Sequence, residues 1–178
     1  MIHKQSAAVR NRKKHPLFGT QDGQKGASAV LVAIVLALLL AFTALAVDVG
    51  YMYATRNELQ NVADAAALAG AGELGRIYLT MTAQEQAIYY LSSSDKSQIY
   101  AEITGIAFEN KAANKSIAID TANDILIGTW DWTSSDPSSA LNVTSNTPDA
   151  VRVIARRDAD YNGPVTTFFA RILSVFGG

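Results

Sequence analysis

The chain has no cysteine among its 178 residues. Disulfides, thiol nucleophiles and cysteine-based metal sites are therefore excluded. The two histidines, His3 and His15, both lie in the amino-terminal tail. Everything beyond them lacks an imidazole for a catalytic triad, a general base or a histidine metal site within one chain. No glycine-rich phosphate loop occurs: Gly70, Gly72 and Gly75 lack a preceding strand and the Gly-Lys-Ser/Thr ending. There is no G-x-S-x-G nucleophile elbow either. No charged residue stands between Lys25 and Asp48, and after Pro16 no proline appears until Pro137.

What fills the charge-free interval is a run of 22 residues, Gly26 to Val47, reading GASAVLVAIVLALLLAFTALAV. As a helix it covers about 33 Å, against roughly 30 Å of bilayer hydrocarbon. It reads as a transmembrane helix. A soluble core helix is seldom apolar on every face. A cleaved signal peptide is the alternative, because Ala44-Leu45-Ala46 has the A-x-A form. Its apolar region usually spans about 7–15 residues, fewer than are present here.

The formal net charge of −1 hides an asymmetry. Residues 1–25 hold six basic groups (Lys4, Arg10, Arg12, Lys13, Lys14 and Lys25) and one acid, Asp22, a balance of +5. The nine basic and fifteen acidic residues that remain give −6. Basic residues close to a membrane helix stay cytoplasmic. The chain is thus expected to be single-pass, with a cytoplasmic amino terminus and residues 48–178 outside the cytoplasm. Beside such a helix the basic tail reads as an orientation and anionic-lipid signal; no nucleic-acid partner is expected. The expected domains are the tail (1–25), the transmembrane helix (26–47), an alanine-rich extracytoplasmic helix (48–77) and a small α+β domain (78–178).

Two sets of residues are candidates for packing or partner contact. Ala29, Ala33, Ala37 and Ala41 recur every four residues, a small-residue ladder that lets a second helix approach closely. Beyond Asp48, the expected exit from the bilayer, Val49, Met52, Leu59, Val62, Ala63, Ala66 and Ala69 gather on one helical side. Asn57, Gln60, Asn61 and Asp64 form the opposing polar stripe, with Arg56 beside it. Arg56 and Gln60 are four apart, as are Gln60 and Asp64, so side-chain bonds along the helix are expected. Tyr51 and Tyr53 stand where an interfacial aromatic belt would be. The helix is expected to end near Gly70–Gly75, with a second helix over about Thr82 to Leu91.

Here the residues carry a resemblance. The apolar helix flowing into Ala46-Val47-Asp48-Val49-Gly50, then Leu59-Gln60-Asn61, then Ala63-Asp64-Ala65-Ala66-Ala67-Leu68-Ala69 resembles the amino-terminal region of TadG-like proteins of the tight-adherence (Tad, or Flp pilus) machinery. Residues 127–132 (IGTWDW), 150–157 (AVRVIARR) and 168–173 (FFARIL) resemble the exported part of related proteins. The resemblance implies a bacterial inner-membrane component of pilus assembly or adhesion, with residues 48–178 in the periplasm and other pilus-assembly or pilin subunits as partners. Self-association and the membrane itself complete the expected contacts. Gly26 is the candidate processing glycine of a minor pilin. The fifth residue after it is Leu31, where type IV-like pilins carry glutamate. A membrane-anchored hydrolase or binding protein is a further alternative.

In the exported part, strands are expected at Ser116–Asp120, Asp124–Trp132 and Ala150–Arg156. The Ser- and Thr-rich stretch Thr133–Asp149 between the last two reads as a long exposed connection. Asp120, Asn123 and Asp124 suit turn or cap roles better than cation binding. Trp130 and Trp132 suit core packing or a cross-strand pair. The sequons at Asn114 and Asn142 read as chance. Gly163-Pro164 is expected to start a helix with Val165, Phe168, Phe169, Ile172, Leu173 and Phe176 on one face. That face would dock on the sheet or, alternatively, lie on the membrane or a partner. The fold class expected is α+β: a long amino-terminal transmembrane helix continuing outward, then a small antiparallel sheet with a carboxyl-terminal helix. No catalytic residue, metal or cofactor is expected.

Overall fold

The structure, a computed structural model, describes residues 21–169, 171 and 174, with side chains from Gly26 onward. Lys4, Arg10, Arg12, Lys13 and Lys14 of the tail, and Ile172, Leu173 and Phe176 near the other end, lie outside the described residues. The chain divides into two compact units, residues 1–43 and 44–178.

Helix α1 runs from Gln21 to Leu79. In the first unit every described side chain on it is exposed, Val30, Leu31, Ile34, Leu36, Leu39, Leu40 and Phe42 among them. Apolar exposure on all sides is what lipid tolerates and water does not. The Thr43 hydroxyl donates to the Leu39 carbonyl at 2.8 Å, which satisfies it within the helix.

The second unit is an α+β body. There α1 buries one stripe, with Thr55, Val62, Ala66, Gly70, Leu74 and Ile77 turned inward. After it come α2 (Ala83–Ala87), α3 (Ser93–Glu109), the two-residue strands β1 (Lys111–Ala112) and β2 (Lys115–Ser116), then β3 (Ile125–Trp130), β4 (Leu141–Val143) and β5 (Ala150–Val153). Strands β4, β3 and β5 form one antiparallel sheet with β3 central. Its register sets Trp130 against Leu141 and Ile127 against Val151. The core joins Val62, Ala66, Leu74 and Ile77 of α1, Ile99, Ile103 and Ala107 of α3, and Ile125, Ile127 and Val153 of the sheet. Ile99 and Ile103 are fully buried, each stabilising by about 1.5–3 kcal/mol relative to exposure.

Gly70 is where α1, α3 and β5 meet. A Cβ there would lie 2.6 Å from Cδ1 and Cγ1 of Ile103 and 3.2 Å from Cγ1 of Val151. An alanine there would force the buried Ile103 side chain to shift. A comparable restriction holds at Gly128 on β3, whose Cβ would meet the Asn142 carbonyl of β4.

Several boundaries differ from expectation. Helix α1 does not stop at Gly70–Gly75 but continues to Leu79. Each glycine there costs the helix up to about 1 kcal/mol against alanine, and burial of Leu74 and Ile77 offsets it. The expected helix over residues 82–91 shrinks to α2, which a Thr82–Glu85 capping box starts. The long helix is α3, over residues 93–109, where the spacing predicts no element. Ser92 caps it by accepting from the Asp95 N–H. The connection 133–149 is not a free loop: it contains β4 and buries Ala140 and Pro148. Of the expected strand 116–120, Ser116 alone is in a strand, although Ile117 and Ile119 are buried. Trp132 lies beyond the end of β3, 84% exposed, with its ring 6.3 Å from that of Trp130, so it is not a core residue. The carboxyl-terminal helical turn begins at Phe168 rather than at Pro164, and its first amides meet α1 rather than the sheet.

Candidate functional site: the first helix and its exposed faces

The residues singled out from sequence all fall on α1, and the structure sorts them into three kinds. Ala29, Ala33, Ala37 and Ala41 lie in the first unit, all exposed. Residues four apart on a helix share a face, so the ladder is a shallow small-residue track among larger apolar side chains. A groove lined by Leu31, Val32, Val35, Leu36 and Leu39 lies on the same stretch of helix. Gly26 is also exposed, at the start of this stretch.

Asp48 is the second kind. It is 5% exposed, one of the few buried charged groups. Its Oδ1 accepts the Phe168 N–H at 2.7 Å and its Oδ2 accepts the Phe169 N–H at 2.8 Å. The first amides of a helical turn have no partner inside the turn, and a carboxylate suits both their donors and their partial positive charge. Asp48 is therefore satisfied within the chain. Val47, Asp48, Tyr51, Thr166, Phe168 and Arg171 line a recess at this junction.

The third kind is the polar stripe. Arg56, Asn57, Gln60, Asn61 and Asp64 are all exposed. The expected Arg56–Gln60 and Gln60–Asp64 bonds do not form, and none of the five has a side-chain partner among the described residues. Glu73 and Arg76, one turn apart near the end of α1, do pair along the helix, with Nε to Oε2 at 2.8 Å. Glu58 is also engaged: its Oε2 accepts the Ala113 N–H at 2.6 Å. That amide lies in the β1–β2 hairpin, whose Ala113 and Asn114 adopt φ of 48° and 60°, the geometry of a tight two-residue turn. The stripe thus offers one cation, one anion and three amides in a row. Each amide both donates and accepts, so the row matches another polar helix face without burying a charge.

The polar groups that organise the rest of the domain were less legible. Arg156 gathers Asp120, Asp124 and Asp158 at 3.5, 2.9 and 3.2 Å and lies over the Tyr161 ring. Asp124 is 4% exposed, and both of its oxygens accept from Arg156 Nε. Bonds from the Asn123 side chain and the Ala122 N–H hold the Asp120 carboxyl below the ordinary carboxylate range. The Tyr161 N–H, then Arg156, do the same for Asp158. These acids neutralise one guanidinium, so Asp120 and Asn123 act in a turn, as expected, while Asp124 is an ion-pair partner. Asn162, in a left-handed conformation at φ 62°, ties Ala118 to Arg156 through its amide. Elsewhere Tyr89 donates to Asp95 at 2.8 Å, and burial first, then that carboxylate, push its phenol well above the usual tyrosine value. Among the described residues no group of three His, Cys, Asp or Glu is placed to hold a metal ion.

Residues 26–73 match a protein-family model described as putative Flp pilus-assembly TadE/G-like. The matched segment spans the apolar run, Asp48 and the whole polar stripe, and it supports a role in Flp pilus assembly. No curated protein and no solved structure matches the chain. Among the described residues α1 is the helix long and apolar enough to cross a membrane, which suggests a membrane anchor.

Proposed function

We propose that this chain is a membrane-anchored, non-enzymatic assembly component of a Tad-type (Flp) pilus. Residues 26–47 span the inner membrane, the basic tail stays in the cytoplasm, and residues 48–178 fold in the periplasm. The observation that carries the reading is the family match over residues 26–73. It falls on the segment where an apolar helix exposed on all sides gives way to a polar stripe without side-chain partners among the described residues. The basic tail supports the orientation.

In this reading, work is done by binding rather than by bond-making. The alanine ladder admits a neighbouring membrane helix at close range. The stripe from Arg56 to Asp64 sets the register of a partner helix by hydrogen bonding, and the α+β body holds that part of α1 in shape. The partners are other pilus-assembly subunits, pilins or a second copy.

Deleting the gene is expected to abolish surface piliation and attachment, and photocrosslinkers at Arg56 and Asp64 are expected to capture pilus-assembly subunits. Normal piliation in the deletion strain, or recovery of the protein in the soluble fraction, would overturn the reading.

A further inference from the structure

Large apolar side chains on α1 are exposed from Val30 through Val47, Val49, Tyr51, Met52 and Tyr53, and the next one exposed on this helix is Leu68. The charge-free run ends at Val47. The apolar surface therefore outlasts it by six residues, about 9 Å of helix. The polar zone on each side of bilayer hydrocarbon is roughly 5–8 Å thick. Tyr51, Met52 and Tyr53 thus belong to interfacial depth, where amphipathic aromatic rings are favoured.

Asp48 lies at the start of that zone, and its carboxylate does not face outward. Its two oxygens hold the Phe168 and Phe169 amides at 2.7 and 2.8 Å. At that separation the carboxyl-terminal turn must share the depth of Asp48, wherever the membrane sets it. The turn brings Phe168, 54% exposed, and the exposed Arg171 to the same recess as Val47 and Tyr51. An exposed apolar ring beside a guanidinium with no partner among the described residues is the composition of an element lying on an anionic bilayer. A charge near hydrocarbon is costly unless hydrogen-bonded, and the turn supplies Asp48 with its donors.

We propose that the carboxyl-terminal turn is a second membrane contact. Asp48 pins it at the end of the membrane-spanning run, so that Phe168 enters the interfacial zone and Arg171 meets the phosphates of anionic phospholipids. This rests on the membrane anchoring proposed above and adds a second, non-spanning attachment. The attachment limits rotation of the domain about α1 and so fixes which way the polar stripe faces.

The chain has no cysteine, so single labelling sites can be introduced cleanly. Leu39→Cys, Phe168→Cys and Ser138→Cys, each carrying an environment-sensitive fluorophore, are reconstituted as full-length protein in phosphatidylethanolamine–phosphatidylglycerol vesicles containing a lipid-borne quencher. Labels at 39 and 168 are expected to be quenched, and the label at 138 is not. Asp48→Asn in the Phe168→Cys background, with helical content verified by circular dichroism, is expected to lose quenching at 168 and keep it at 39 in a parallel variant. Arg171→Gln is expected to reduce quenching at 168 only when phosphatidylglycerol is present. Loss of quenching at 39 would sink the anchor and this contact together. Quenching at 39 with a water-exposed label at 168 would overturn the contact alone. So would a label at 168 shielded only at high protein-to-lipid ratio, because a second copy would then be covering it. Quenching at 168 that survives both Asp48→Asn, which keeps one acceptor oxygen, and Asp48→Ala, which keeps none, would refute the pinning role.

Discussion

The Asp48 carboxylate accepts the backbone N–H of Phe168 at 2.7 Å across a sequence separation of 120 residues. It joins the residue that follows the charge-free run of α1 to the carboxyl-terminal turn, and Phe169 adds a second bond of the same kind. Neither residue type signals the contact. An aspartate after an apolar run reads as a membrane exit, and the amides that bind it belong to the backbone.

Asp48→Ala leaves two half-buried donors without their acceptor, a loss of about 0.5–1.5 kcal/mol for each bond. Hydrogen exchange at the Phe168 and Phe169 amides is expected to rise by roughly tenfold or more, while exchange at Ile103 in the core stays unchanged. Equal acceleration at Ile103 would show that Asp48 supports the whole body rather than the turn.

Two neighbouring glycines of α1 should respond in opposite directions. Gly70→Ala drives a methyl group into Ile103 and is expected to destabilise by about 1–3 kcal/mol. A Cβ at Gly72 meets nothing within 4 Å, so Gly72→Ala is expected to stabilise the helix by about 0.5–1 kcal/mol. Urea denaturation of the full-length protein in detergent, followed by circular dichroism, separates the two.

Acid sensitivity has a defined sign. The folded-state pKa values of Asp120 and Asp158 lie below the ordinary value of 3.8. Their contribution to stability is therefore present above that value and is lost as pH falls through the lower folded-state values. Tm is expected to drop below about pH 4. Arg156→Met removes the shared cation and is expected to lower the plateau and to flatten the part of the Tm–pH curve that Asp158 contributes, while the part from Asp120, held by Asn123 and the Ala122 N–H, persists. A curve of unchanged shape would contradict the shared role of Arg156.

The polar stripe gives a functional prediction. Asp64 is exposed and without a partner among the described residues, so Asp64→Leu should leave folding and membrane insertion intact. Co-purification with pilus-assembly partners is expected to fall, while carbonate-resistant membrane association holds. Parallel loss of both would contradict a partner role.

Much of α1 was legible because its signals are one-dimensional. A charge-free run of bilayer length, an apolar stripe at helical spacing and polar residues opposite it all follow from periodicity. Val62 and Ala66 are buried and Asn57, Gln60, Asn61 and Asp64 are exposed, as that periodicity indicates. The failures are also physical. Helix α3 carries β-branched residues and Gly105, which lower its propensity, and its stability comes from burying Ile99, Ile103 and Ala107. Strand β4 exposes Asn142 and Val143 at a sheet edge, so no apolar alternation announced it. Gly70, Gly72 and Gly75 look alike in the sequence, yet only Gly70 meets another element.

By itself the sequence determined the apolar helix, its polar continuation, the α+β class and the lack of thiol and imidazole chemistry beyond the tail, because composition and spacing act locally along the chain. Tertiary structure alone decided that Asp48 caps a turn, that Arg156 collects three carboxylates, and that α1 runs on to Leu79 to pack against α3 and the sheet. Each of these joins residues far apart in the chain, and their energy comes from desolvated partners meeting, which no local pattern encodes.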